Sequence, residues 1–253
     1  MNLRLHLGRP SWTAGLAAAA LLCAAPAMAS IITFSALAPS AYASGETLSE
    51  AGYDLAMVGG PMAQHYGYVD NTGLIADAAD PLTCDVITCP GGADGHYLMV
   101  LNDGAVRLAR SDLQGGFLLG GLDLAFATPL PVDAGNYGML RLSATLRDGG
   151  SASTMVSFAG QDANGVFAFG SALIDASFRQ LAFTSLTIDA CLFDADMNCS
   201  NDFDHPAMNQ AQFAIDNLSL TAVPEPGSLL LASLGLGALA LQRRRPSATV
   251  KGA

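Results

Sequence analysis

The side chains best equipped for chemistry in this 253-residue sequence are a set of cysteines and a large excess of carboxylates. Cys84 and Cys89 enclose Asp85-Val86-Ile87-Thr88, and Cys191 and Cys199 enclose seven residues. With Cys23 in a removable leader, four cysteines remain, an even number that suits an oxidising compartment. Two local disulfides, Cys84 with Cys89 and Cys191 with Cys199, are the simplest of the three possible pairings. Zinc would want tighter Cys-x-x-Cys spacing or histidine partners. Inside the second cysteine pair, Asp194-Ala195-Asp196-Met197-Asn198 sets oxygen atoms on alternate residues, as calcium loops begin. The rest of an EF-hand pattern fails, because Cys199 stands where glycine is needed and His205 where glutamate is needed. Asp194, Asp196 and Asn198 are therefore candidate ligands of an irregular calcium site, and a polar, disulfide-held surface loop is the other reading. Near the end of the apolar sequence, Gln212-Phe213-Ala214-Ile215-Asp216-Asn217-Leu218 offers Asp216 and Asn217. They either end the ladder and bond local backbone, or lie beside a ligand or metal at a sheet edge.

Catalysis finds little support. Past the leader only His65, His96 and His205 remain, with no Gly-x-Ser-x-Gly elbow and no His-Glu-x-x-His helix. No catalytic residue is assigned. The lone tryptophan, Trp12, leaves with the leader, so any aromatic platform for a sugar falls to Tyr53, Tyr66, Tyr68, Tyr97 or Tyr137.

The elements that must position these groups read as strands. Tyr137 to Arg147 alternates Leu140, Leu142, Ala144 and Leu146 with Arg141, Ser143, Thr145 and Arg147, a sheet with one wet face. Leu122 to Phe126, Thr154 to Phe158, Val166 to Phe169 and Ser185 to Asp189 are further short candidates, separated by turn residues. His96 to Leu101 and Ala105 to Ala109 read as a hairpin across Asn102-Asp103-Gly104, with the glycine supplying a positive φ. Residues 49 to 82 read as one or two strands and long loops. The pattern predicts an all-β, jelly-roll-like antiparallel β-sandwich over residues 30–222.

Composition narrows the partners. The chain is 51% hydrophobic and 13% charged, which excludes a disordered chain. Residues 30–222 hold five basic and 21 acidic residues, a balance of −16, with no lysine. A nucleic-acid partner is excluded on that charge.

Both ends look like addresses. Residues 1–29 combine Arg4 and Arg9, an apolar run from Ala14 to Ala25 and the small residues of Ala27-Met28-Ala29, which predicts a signal peptide and a mature N-terminus at Ser30. At the other end Val223-Pro224-Glu225-Pro226-Gly227 precedes an apolar stretch from Ser228 to Leu241, then Arg243, Arg244 and Arg245. Fourteen helical residues reach about 21 Å against a hydrocarbon core of about 30 Å. The arginine stems make up part of the difference by snorkelling, and their charge keeps that end inside. Pro224 and Pro226 hold the tripeptide extended just outside the membrane.

This order of parts resembles the PEP-CTERM sorting signal of Gram-negative bacteria. The resemblance covers residues 223–245, followed by a cytoplasmic tail at 246–253, and Gln212 to Asp216 is similar to the Gln-Phe-x-x-Asp signature of one subgroup. It implies that Pro224, Glu225, Pro226, Arg243, Arg244 and Arg245 are read by an exosortase-type membrane enzyme. It also implies transient insertion in the inner membrane, export to the cell surface or beyond, and a structural or adhesive role linked to exopolysaccharide and biofilm. A calcium-assisted carbohydrate-binding module is the alternative expectation, and an exported hydrolase the third.

Overall fold

The computed structural model describes residues 29–60, 70–84, 87–113, 115–127, 138–163, 165–193, 196–200 and 211–223, with Gly235 and Gly237. Met28–Val223 forms one compact unit. Of the other, Met1–Ala27 with Pro224–Ala253, only Gly235 and Gly237 are described, and both are helical. The leader up to Met28, the sorting residues Pro224 to Pro226 and the cluster Arg243 to Arg245 lie outside the described residues. Among the described residues no helix is long and apolar enough to cross a membrane.

The domain is an antiparallel β-sandwich. In its first layer the strands β2 (Ser40–Tyr42), β5 (Gly73–Asp77), β6 (His96–Val100), β14 (Gln212–Val223) and β8 (Gly116–Ala127) lie side by side. There β1 (Ala29–Ile32) pairs with β14 beyond the end of β6, and β11 (Gly170–Ser171) pairs with β8. The second layer orders β3 (Thr47–Glu50), β4 (Tyr53–Val58), β7 (Ala105–Arg110), β12 (Phe183–Phe193), β9 (Gly138–Leu146) and β10 (Ser151–Ser157), with β13 (Cys199–Ser200) on the end of β12. One bridge, Phe183 to Phe117, joins the layers' ladders.

Alternation explains the layering. In β9 Leu140, Leu142 and Ala144 are buried while Arg141, Ser143 and Thr145 are not. Such strands need a second apolar face, and β12 supplies one with Leu186, Ile188 and Ala190. Between the layers Leu55, Met57, Val106 and Leu108 meet Ile75, Leu98, Phe213, Ile215 and Leu220 in one core. At the corner, Phe117 stands edge-on to Tyr53 at 5.5 Å and to Phe183 at 5.8 Å, and Phe183 touches Phe178 of the short helix α1 (Ala176–Arg179) at 5.0 Å. Asp175 caps that helix by accepting from the Ser177 amide at 2.7 Å. A second core covers the outer side of the first layer, where Tyr97, Met99, Ala125 and Ala214 lie under Cys84, Ile87 and Phe169.

Two expectations from the sequence need correction. The segments His96 to Leu101 and Ala105 to Ala109 are strands, but they do not pair: β6 lies between β5 and β14, and β7 between β4 and β12. The turn between them carries the chain from one layer to the other. Its positive φ values belong to Asn102 (57°) and Asp103 (55°), not to Gly104. Gly104 is needed for closeness instead, since a Cβ there would lie 2.7 Å from the Leu101 carbonyl oxygen. The turn is tied down by Asn102 Nδ2 donating to the Asn71 carbonyl at 2.8 Å and by the Ala211 amide donating to Asp103 Oδ1 at 2.7 Å.

Val166 to Phe169 is the second correction, because it forms only isolated bridges at Phe167 and Ala168. Packing claims it: Phe167 stands 5.0 Å from Phe126 and Phe169 stands 5.2 Å from Tyr97, so alternate rings serve the two different cores. Residues 49 to 82 hold two whole strands, β4 and β5, in keeping with the expectation, and β4 closes a hairpin with β3 over Ala51 and Gly52, both at positive φ.

Candidate functional site

The acid-bearing strand β14 carries the chemistry most densely. Its register with β8 runs regularly to Asp216 opposite Asp123 and resumes at Ser219 opposite Gly121. The extra residue makes a bulge in which Asn217 takes φ 50°, a left-handed conformation that asparagine adopts more readily than most residues. Asp216 and Asn217 therefore do not end the ladder, as one reading of the sequence held; β14 continues through them to Val223. The Asn217 amide donates to Asp216 Oδ1 at 2.7 Å, and Asn217 Nδ2 donates to Asp123 Oδ2 at 2.9 Å. On its other oxygen Asp123 accepts from Ser171 Oγ at 2.7 Å, which ties β11 to the same place.

Asp216 is only 3% exposed. Burial pushes its carboxyl up to about 6, the Asn217 amide pulls the other way, and the charges of Asp123, Glu50 and Asp94 raise it further. Glu50 comes from the opposite layer. It accepts from the amides of Thr33 at 3.2 Å and Phe34 at 3.0 Å, holding the turn after β1 with Phe34 at φ 56°. Carboxylates gathered this way repel unless one keeps its proton or a cation lies among them. Among the described residues no three of His, Cys, Asp and Glu form a ready-made metal group.

The sequence signal for Asp216 and Asn217 was their place in an apolar strand. Asp123 carries the same signal, an aspartate inside Leu122-Asp123-Leu124-Ala125-Phe126. Glu50 and Asp94 had none: Glu50 comes near from the opposite layer, and Asp94 from the loop before β6, the strand that pairs with β14.

Elsewhere the candidates are spread out. Cys84 is bonded to Cys89 and Cys191 to Cys199. The first bridge pins the 3₁₀ turn Pro81–Cys84 over the second core, where the Tyr97 hydroxyl, 3.2 Å away, donates to Cys84 Sγ. Burial in that core, with Asp77 near, pushes Tyr97 up to about 12. Replacing Cys84 and Cys89 together by serine is expected to cost about 2 kcal/mol, because the bridge closes a short loop. Denaturant unfolding of the two forms measures it, and non-reducing peptide mapping checks both pairings.

Asp194 lies outside the described residues. Asp196 and Asn198 flank Met197, at φ 64°, in the turn between β12 and β13. Of the aromatic candidates, Tyr53 is 3% and Tyr97 0% exposed, so neither offers a face to a sugar, and Tyr66, Tyr68 and Tyr137 lie outside the described residues.

No curated protein matches the sequence. Two solved structures are similar over most of the chain. One is a Clostridium thermocellum endo-1,4-beta-D-xylanase 10B with its CBM22-1 and GH10 modules, complexed with xylohexaose. It shares 10% identity and a TM-score of 0.37 over 78% of this chain, which spans 29% of that one. The other is CtCBM11, at 11% identity and a TM-score of 0.28 over 80% of this chain and 99% of that one. At such scores neither likeness carries an inference about ligand or activity. Residues 222–245 match the PEP-CTERM protein-sorting motif. The match takes in the last two residues of β14 and the sequence directly behind them, so the chain carries a PEP-CTERM sorting signal, which implies export and processing by an exosortase-type membrane enzyme.

Proposed function

We propose that the sandwich is delivered to the cell surface or extracellular matrix and has a structural or adhesive role there, linked to exopolysaccharide and biofilm. The boundaries proposed are a signal peptide at 1–29, the sandwich at 30–222, the sorting signal at 223–245 and a cytoplasmic tail at 246–253. The observation that carries the reading is the junction. Strand β14 stays in its ladder to Val223, opposite Gly116, and Pro224-Glu225-Pro226 follows without a spacer. A cut at that tripeptide releases the whole domain. Cleavage before Ser30 suits the same edge, since Ser30 pairs with Leu220 and only the Ala29 to Thr221 pair is lost. The strong negative charge keeps such a domain hydrated and soluble outside the cell. Retention of the exported protein on producing cells, compared with cells lacking exopolysaccharide, tests the role. Loss of retention without polysaccharide supports it, and equal retention contradicts it.

Calcium-assisted carbohydrate binding is the second reading, favoured by Asp216 and Asp123 facing each other with Glu50 near. Calcium is expected to raise the melting temperature by an amount that grows with its concentration, as ligand linkage requires. Asp216→Asn removes that gain if the ion sits at the bulge, and Asp196→Ala removes it if it sits at the Asp194, Asp196 and Asn198 loop. Magnesium, which demands a tighter octahedron, is the control. Equal shifts with both ions in all three proteins eliminate the site. A glycan array with and without calcium then tests sugar binding itself.

A further inference from the structure

We infer that β10 is an interaction edge, and that its partner is β10 of a second copy of this chain, paired antiparallel across a two-fold axis. Strand β10 is the last of its layer: Ser151 to Ser157 pair with β9 on one side, from Ser151 opposite Thr145 to Ser157 opposite Met139. Among the described residues no backbone hydrogen bond reaches its other side. The helix α1 approaches β10 but forms no ladder with it.

An exposed row of amides and carbonyls invites another strand, and sheets usually guard such rows with lysine, proline, a bulge or brevity. Among the described residues the other edges are short or guarded, and β1, also uncharged, is only four residues long. Strand β2 is three residues long and follows Pro39 closely, and β3 is four residues long and ends in Glu50. Strand β8 is partly covered by β11. By contrast, β10 runs seven residues, Ser151-Ala152-Ser153-Thr154-Met155-Val156-Ser157, with no charge, no proline, no glycine and an unbroken register. Its outward side chains are small apart from Met155, which is 45% exposed.

Charge decides the occupant. The domain is strongly acidic, so two copies repel wherever their carboxylates meet. A strand free of charge is the place where a copy approaches at least cost, and in any antiparallel register of Ser151 to Ser157 against itself no like charges face each other. Pairing of one edge with itself is isologous, so it closes at a dimer and does not propagate.

The test uses the exported, processed protein. Sedimentation velocity over a wide concentration range is expected to show the mass of two chains. Ser153→Lys combined with Met155→Lys should weaken the dimer about tenfold or more, since lysines then oppose lysines, with an unchanged far-UV spectrum. Hydrogen exchange on the unaltered protein gives a second readout that does not depend on the variant. Amides within 151–157 should gain protection as concentration rises. A single chain at every concentration, open polymers, a dimer that survives in the folded lysine variant, or protection appearing elsewhere would each overturn the inference.

Discussion

Asp216→Asn is expected to make the metal-free domain more stable at pH 7, by roughly 2 to 3 kcal/mol. The carboxyl sits at about 6 in the fold, against 3.8 for the ordinary group, chiefly because it is buried and then because Asp123, Glu50 and Asp94 are near. A group that binds its proton more tightly in the folded chain stabilises the fold while protonated. That contribution is complete below pH 3.8 and is lost as pH rises through about 6, so at neutral pH the ionised Asp216 weighs against folding. Asparagine keeps the shape and can still accept from the Asn217 amide, and it carries no charge toward Asp123. In a domain of this size the change corresponds to a rise in melting temperature of about 4 to 10 °C. Melting curves in chelator from pH 4 to pH 8 should show wild type losing stability across that window while the variant stays flatter. A variant less stable than wild type at pH 7 in chelator would refute the picture of uncompensated carboxylates.

Phe117→Ala is expected to cost about 3 to 5 kcal/mol. The ring is fully buried at a bridge between the two layers, with Tyr53 and Phe183 both packed edge-on against it. Truncation leaves a cavity at a corner that cannot collapse, because β8 is held there by Val223 opposite Gly116 and Ala222 opposite Phe117. Phe117→Leu keeps most of the volume and should cost less. Denaturant unfolding of the three proteins gives the order, and an alanine variant within 1 kcal/mol of wild type would show that the corner does not organise the core.

These two residues mark what the sequence revealed and what it concealed. Alternation in β9 and β12 was legible because Leu140, Leu142, Leu186 and Ile188 recur at the period of a pleated strand. Strand pairing was not. The turn at Asn102 and Asp103 has hairpin chemistry, yet its bonds to Asn71 and Ala211, distant in sequence, send β6 and β7 to different layers. Ring periodicity misled at Phe167 and Phe169, since a loop can alternate between two cores as a strand alternates between two faces. At the candidate site Asp216 and Asn217 were visible as polar residues in an apolar run. Glu50 reaches them only through the packing of one layer on the other, and Asp94 through the pairing of β6 with β14, neither of which a local pattern encodes. The cysteine pairs were legible because short spacing favours local closure.

Export of this sandwich by its C-terminal sorting signal can be read from the intact mass of the protein in the producing organism. Mass should be measured in envelope and medium, with and without the exosortase-type enzyme. With the enzyme present the chain should begin at Ser30 and lack the apolar run from Ser228 to Leu241, and with the enzyme absent it should retain this run in the envelope. Retention of residues 228–241 in cells that have the enzyme, or an identical mass in both strains, would contradict it.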